Sequence, residues 1–209
     1  MNLKVEQFLK KSTRNWVRMR SGGGLLGLLI FVFPPLYGEG YMSLDALMNS
    51  DPDKLLNNSY FFNFKENIWV VLGYIIVLVF VKVIATALTN GSGGVGGVFA
   101  PSLFTGGVAG FVLAMVINLS GLKAVPESHF VLAGMAGVMS GVMNAPLTAM
   151  FLIAEISGGY SLLLPLMLTS VIAYITSQGM EPYSIYARRL AMKGDLLTHN
   201  KDKAVLTLM

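Results

Sequence analysis

Residues 91–101 read Gly-Ser-Gly-Gly-Val-Gly-Gly-Val-Phe-Ala-Pro, with five glycines in the first seven positions and long apolar runs on both sides. Three kinds of chemistry use such a stretch. Gly91, Gly93 and Gly96 match the G-x-G-x-x-G spacing that lets a backbone wrap a pyrophosphate. That use needs a βαβ unit and an acidic residue about 20 positions on, where this chain runs through "FVLAMVINL", and no phosphate-binding lysine follows the glycines. A second use is close helix packing, which small residues allow in a membrane. The third is anion binding. Backbone amides just before a helix have no intrahelical partner, and the helix dipole adds partial positive charge there. Such a site holds an anion without a full charge, so the ion can leave again. Pro101 fixes the start of the following helix and has no N–H, which makes the amides of Val98 and Phe99 the donors. Spacing alone leaves packing and anion binding both standing.

Few other residues offer chemistry. Glu155 is a lone acid in an apolar stretch, and an intramembrane carboxylate is a functional candidate by default. Its place near the end of a short helix, before "SGGY", favours a helix-end or interface role over a proton relay. Lys82, Lys123 and Glu127 read as snorkelling or loop charges, His129 carries no assigned role, and Ser92 reads as a turn residue. Tyr183, taken by itself, is an aromatic anchor at the membrane boundary. There is no cysteine, nucleophile–base pair, metal cluster or paired carboxylate set in the sequence. The chain is therefore expected not to be an enzyme and to need no cofactor.

The elements that position these residues are membrane helices. Of 209 residues 54% are hydrophobic and 12% charged, about half the charge of a soluble domain. From Ile68 to Met180 the charged residues are Lys82, Lys123, Glu127 and Glu155. The basic residues gather in 1–20 and 181–209, and the segment 38–66 is acidic. Excess Lys and Arg marks cytoplasmic segments, so both termini are expected inside and the 43–66 loop outside. No soluble module accompanies the basic ends, which argues against nucleic-acid binding. A basic amphipathic helix is expected over 5–20, then a short, glycine-led helix with its apolar core over 25–33, stopped by Pro34-Pro35. A polar loop with one short helical piece follows over 43–66, and then a span over 67–89. Helices over 102–119, 127–143, 145–156, 160–177 and 182–194 complete the chain. Helices short or interrupted by Gly and Pro point to a binding site in transporters.

At this point a family resemblance emerges. "GGVFAP", residues 96–101, resembles the G-x-F-x-P anion-filter motif of the CLC family of chloride channels and proton–chloride exchangers. "GGGLLGLLIFVFPPLYGEGY" (22–41) resembles the start of that family's second half, "NAPLTAMFLIAEISGGYSLLLP" (144–165) a later helix pair, and "EPYSIYARRLA" (181–191) its last helix. The four stretches stand in the family's order and cover nearly the whole chain. The resemblance implies an all-α integral membrane fold, the second inverted repeat of a CLC-like architecture, with short, broken and tilted helices. It implies that the Val98 and Phe99 amides coordinate chloride, with Gly96, Gly97, Ala100 and Pro101 shaping the filter loop. By the same resemblance the Tyr183 hydroxyl donates to that ion.

The family's first half supplies a G-S-G-x-P serine, a G-x-E-x-P gating glutamate and an inner proton glutamate. None of these is present here. The expected partners are accordingly chloride, the lipid bilayer, a missing N-terminal half and a second copy of the completed protein. The expected division is a transmembrane half-domain over 1–194 and a cytoplasmic tail over 195–209 that begins a linker to a regulatory domain. The expected location is multi-pass in a cell inner or plasma membrane. Channel and exchanger are not distinguished by these residues. Another small-anion transporter built from inverted repeats, or a non-transporting scaffold or remnant, stands as the alternative.

Overall fold

The computed structural model describes residues 15–57, 59, 62–64, 67–94, 96–121, 124–181, 184 and 187. Among them the regular structure is entirely helical. The α-helices are α1 (Asn15–Val32), α2 (Tyr41–Met48), α3 (Ile68–Ser92), α4 (Phe99–Leu119), α5 (Glu127–Met143), α6 (Pro146–Ile156) and α7 (Leu163–Met180). Three of them, α3, α4 and α7, are long and apolar enough to cross a membrane. At 1.5 Å per residue they reach about 27–38 Å, against a hydrocarbon core of about 30 Å.

α3 starts where the Asn67 side chain accepts the Trp69 amide at 3.1 Å. It stops at Gly93, whose φ of 99° lies in the left-handed region that terminates helices. α5 is the hub. It packs on α4, α6, α7 and the short α2, while α3 packs on α1 and α4. Phe104 and Phe111 of α4, Val131 and Met135 of α5, and Ile153 of α6 fill the core with almost no exposed surface. Leu164, Leu168, Ile172 and Ile175 on α7 point outward.

α4 and α5 meet backbone to backbone. A Cβ added at Gly106 would press on the Gly134 carbonyl, one at Gly134 on the Gly106 carbonyl, and one at Gly110 on the Phe130 carbonyl oxygen. The four-residue spacing of Gly106 and Gly110 thus serves close packing. Across the other face of α5, Ser140 Oγ donates to the Ser170 carbonyl at 2.6 Å and Ser177 Oγ to the Gly141 carbonyl at 2.8 Å. Ser140→Ala is expected to cost about 0.5–1.5 kcal/mol, the range for interhelical hydrogen bonds in membranes. The check is the thermal midpoint of the full-length protein in detergent; an unchanged midpoint would show that the bond adds nothing net.

Four expectations change. α1 runs unbroken from Asn15 through Gly22, Gly23 and Gly24 to Val32, one helix rather than a basic helix followed by a separate glycine-led one. Gly22 touches Ser92 on α3, so its missing side chain lets the two helices meet and packing overrides glycine's poor helix propensity. The 43–66 region has the short helical piece expected of it, but the rest is not simply a polar loop. α2 and the 3-10 turn Pro52–Leu56 bury Leu44, Leu47, Leu55 and Leu56 against the core. Glycine does not break α4 or α5, so the interruptions fall between helices. Pro165 sits in the first turn of α7 rather than inside a longer helix, where its missing N–H has no partner to lose. Residues 1–14 and 195–209, and the expected helix over 182–194 apart from Ser184 and Ala187, Tyr183 included, lie outside the described residues.

Candidate functional site

The glycine stretch forms the turn between α3 and α4, and its glycines are there for space. The Gly93 and Gly94 amides both donate to the Thr89 carbonyl. A Cβ at Gly94 would stand 2.9 Å from that carbonyl oxygen, and one at Gly96 would stand 3.0 Å from Asn90 Oδ1. Side chains here would push the turn off the end of α3.

α4 then begins at Phe99, with Val98 at the N-cap and Pro101 in the first turn. No side chain caps this end. The first backbone bond of the helix runs from the Ser102 amide to the Val98 carbonyl, 3.0 Å. Among the described residues no acceptor takes the amides of Val98 or Phe99. With the Ala100 amide, which no described acceptor takes either, these unclaimed donors stand at the positive end of a 21-residue apolar helix, and Pro101 adds none. The Val98 side chain is 6% exposed, so the turn is anchored from below.

The filter residues Gly96, Gly97, Phe99, Ala100 and Pro101 form one wall of a cleft of about 510 Å³. Leu26 and Ile30 of α1, the strap Leu36–Glu39 with Tyr41, and Lys82, Ala85, Thr86 and Thr89 of α3 form the rest. Behind the turn lies a smaller cavity of about 200 Å³, lined by Val98, Ser102, Thr105, Val138 and Val142 among others. Thr86 and Pro101 line both spaces. The turn is thus a thin partition between two spaces whose walls are largely but not wholly apolar, Glu39 and Lys82 standing on the cleft side.

Gly96, Gly97, Val98, Phe99, Ala100 and Pro101, consecutive in the chain, lie in the turn and at the start of α4. Tyr183 and Lys123 lie outside the described residues. Glu155 is exposed in the last turn of α6, and its carbonyl accepts the Gly158 amide at 3.0 Å. Lys82 does not snorkel. It is 3% exposed and its Nζ donates to the carbonyls of Leu36, 3.2 Å, and Gly38, 3.0 Å. The signal for this was available. A lone lysine within a span faces the protein interior as a rule, and a mid-span position leaves it far from either interface.

The chain is similar in sequence to known proteins. Residues 1–178 match the family model described as voltage gated chloride channel. A ClcB-like chloride channel protein of Ralstonia nicotianae is 33% identical over 181 residues, covering 86% of this chain and 38% of that protein. The chloride channel protein CLC-e of Arabidopsis thaliana is 34% identical over 156 residues, covering 70% of this chain and 20% of that protein. The H(+)/Cl(-) exchange transporter ClcA of Vibrio campbellii is 33% identical over 179 residues, covering 84% and 34% respectively. The chain thus spans between a fifth and two fifths of these relatives' length. With the family model matching most of its residues, the chain belongs to the voltage gated chloride channel family.

Proposed function

We propose that this chain is the second half of a chloride-transporting membrane domain, working as a channel or a proton-coupled exchanger. The observation that carries the proposal is the set of unclaimed amides at the N-terminus of α4, where Phe99 lines the cleft and Val98 lines the smaller cavity behind it. Those amides hold chloride by hydrogen bonds and dipole, without a lysine that would retain it. The Tyr183 hydroxyl donates to the same ion and narrows its exit. A first half carrying G-S-G-x-P and G-x-E-x-P completes the site, and the completed protein pairs as a homodimer with one pore per subunit. Both ends of the chain face the cytoplasm, with 195–209 leading toward a regulatory domain. The names of the relatives, two chloride channel proteins and one H(+)/Cl(-) exchange transporter, support this chemistry.

The test is chloride efflux from liposomes that carry the full-length protein containing residues 1–209. Selective chloride efflux supports the proposal; none, with folded protein in the bilayer, overturns it in favour of a scaffold. Tyr183→Ala is expected to weaken chloride binding about three- to tenfold in calorimetry, because water replaces only part of the lost donor. Wild-type binding would remove Tyr183 from the site.

A further inference from the structure

Lys82 is the basic side chain on the cleft wall, and no carboxylate among the described residues pairs with it. A buried cation needs other partners. Here they are two strap carbonyls and an aromatic face. Nζ donates to Leu36 and Gly38 and stands 4.8 Å over the Phe104 ring centroid. Phe104 belongs to α4, the helix whose N-terminus carries the filter amides, and is fully buried. Gly40, at the end of the strap, touches the same ring and has no room for a side chain. One ammonium therefore joins α3, the strap and α4.

The two carbonyls matter because Leu36 and Gly38 line the same cleft as the filter residues. Carbonyl oxygens presented to an anion repel it. Here they are turned onto Nζ. We infer that Lys82 is a positioning residue for the anion site: it holds the Leu36–Gly38 carbonyls away from the anion and fixes the strap against the filter helix. Two of its three protons are engaged by the strap and the ammonium faces the Phe104 ring, so its role is to shape the site rather than to ligate the ion. This inference rests on the chloride function proposed above.

The experiment uses the full-length protein, with chloride calorimetry and liposome efflux on Lys82→Met, Lys82→Gln and Lys82→Arg. Lys82→Met is expected to weaken chloride binding about three- to tenfold at unchanged stoichiometry, while Lys82→Arg, which keeps charge and donors, stays within about twofold of wild type. A lysine needed only for folding would lower the yield and the maximal flux while the recovered protein bound chloride with wild-type affinity. That result overturns the inference. If Lys82→Met is not recovered, Lys82→Gln decides: its neutral amide is too short to span both carbonyls, and wild-type affinity there overturns the inference equally. Wild-type protein that neither binds nor passes chloride would sink the chloride function itself, whatever the variants do. Normal wild-type flux with an unaltered Lys82→Met affinity sinks only the role of Lys82.

Discussion

Gly110→Val is expected to abolish the folded protein. A side chain at position 110 would run into the Phe130 carbonyl oxygen and, at 3.3 Å, the Val131 Cα. These are backbone atoms of α5 and cannot rotate aside. Relief would require moving α5, the hub of the fold, away from α4. That would strip Gly106 from Gly134 and loosen Met135 and Val131, both buried against the small residues of α4. Overpacking a core costs about 1–3 kcal/mol and more where nothing can yield, against a total stability of about 5–15 kcal/mol. The measurement is the monodisperse peak of the full-length protein in size-exclusion chromatography, expected to vanish for Gly110→Val. Gly24→Ala is the control. A Cβ there meets nothing within 4 Å, and alanine improves helix propensity by about 1 kcal/mol, so its peak is expected to be kept or raised. A wild-type peak for Gly110→Val would mean that α4 and α5 are not held in contact as described.

The same glycines show what was legible in the sequence. The spacing of Gly106 and Gly110 announces a close helix contact, because only small residues let membrane helices approach. The ends of α5 and α6 were legible too, since Pro126 and Pro146 punctuate them and α5 closes on Asn144 at a φ of 55°. Gly22–Gly24 misled, because a glycine run reads as a helix break until the neighbouring helix that needs the space is known. Leu44, Leu47, Leu55 and Leu56 were hidden by the acidic residues between them. Their burial depends on where α2 and the 3-10 turn fold back, which no local pattern encodes. The filter turn was legible because its motif is local. The strap opposite was not, because Lys82 and Gly38 are 44 positions apart.

Phe99→Pro is expected to have the largest effect on transport with the fold kept. Proline is well accommodated at the first position of a helix, where its N–H would have no intrahelical partner. Phe99 is that position in α4, so the substitution deletes one of the unclaimed amides without removing a backbone bond. Hydrogen bonds to charged groups are worth about 1.5–3 kcal/mol, so chloride binding is expected to weaken about 10- to 100-fold. The lost phenyl ring and a second backbone effect complicate the comparison. Proline disfavours helical backbone in the residue before it, and Val98 has φ −96° and ψ −13°. Val98→Pro and Phe99→Ala separate these contributions. Val98→Pro deletes the neighbouring amide behind Gly97, which has no Cβ to clash, and Phe99→Ala removes the ring while keeping the amide. If the amides carry the ion, both proline variants lose chloride efflux from liposomes and Phe99→Ala keeps most of it. If the ring carries it, Phe99→Ala fails and Val98→Pro transports. Efflux at the wild-type rate from both proline variants would remove the anion from this helix end. The cleft would then be a packing defect between α1, α3 and α4, and the glycines of 93–97 would serve the turn alone.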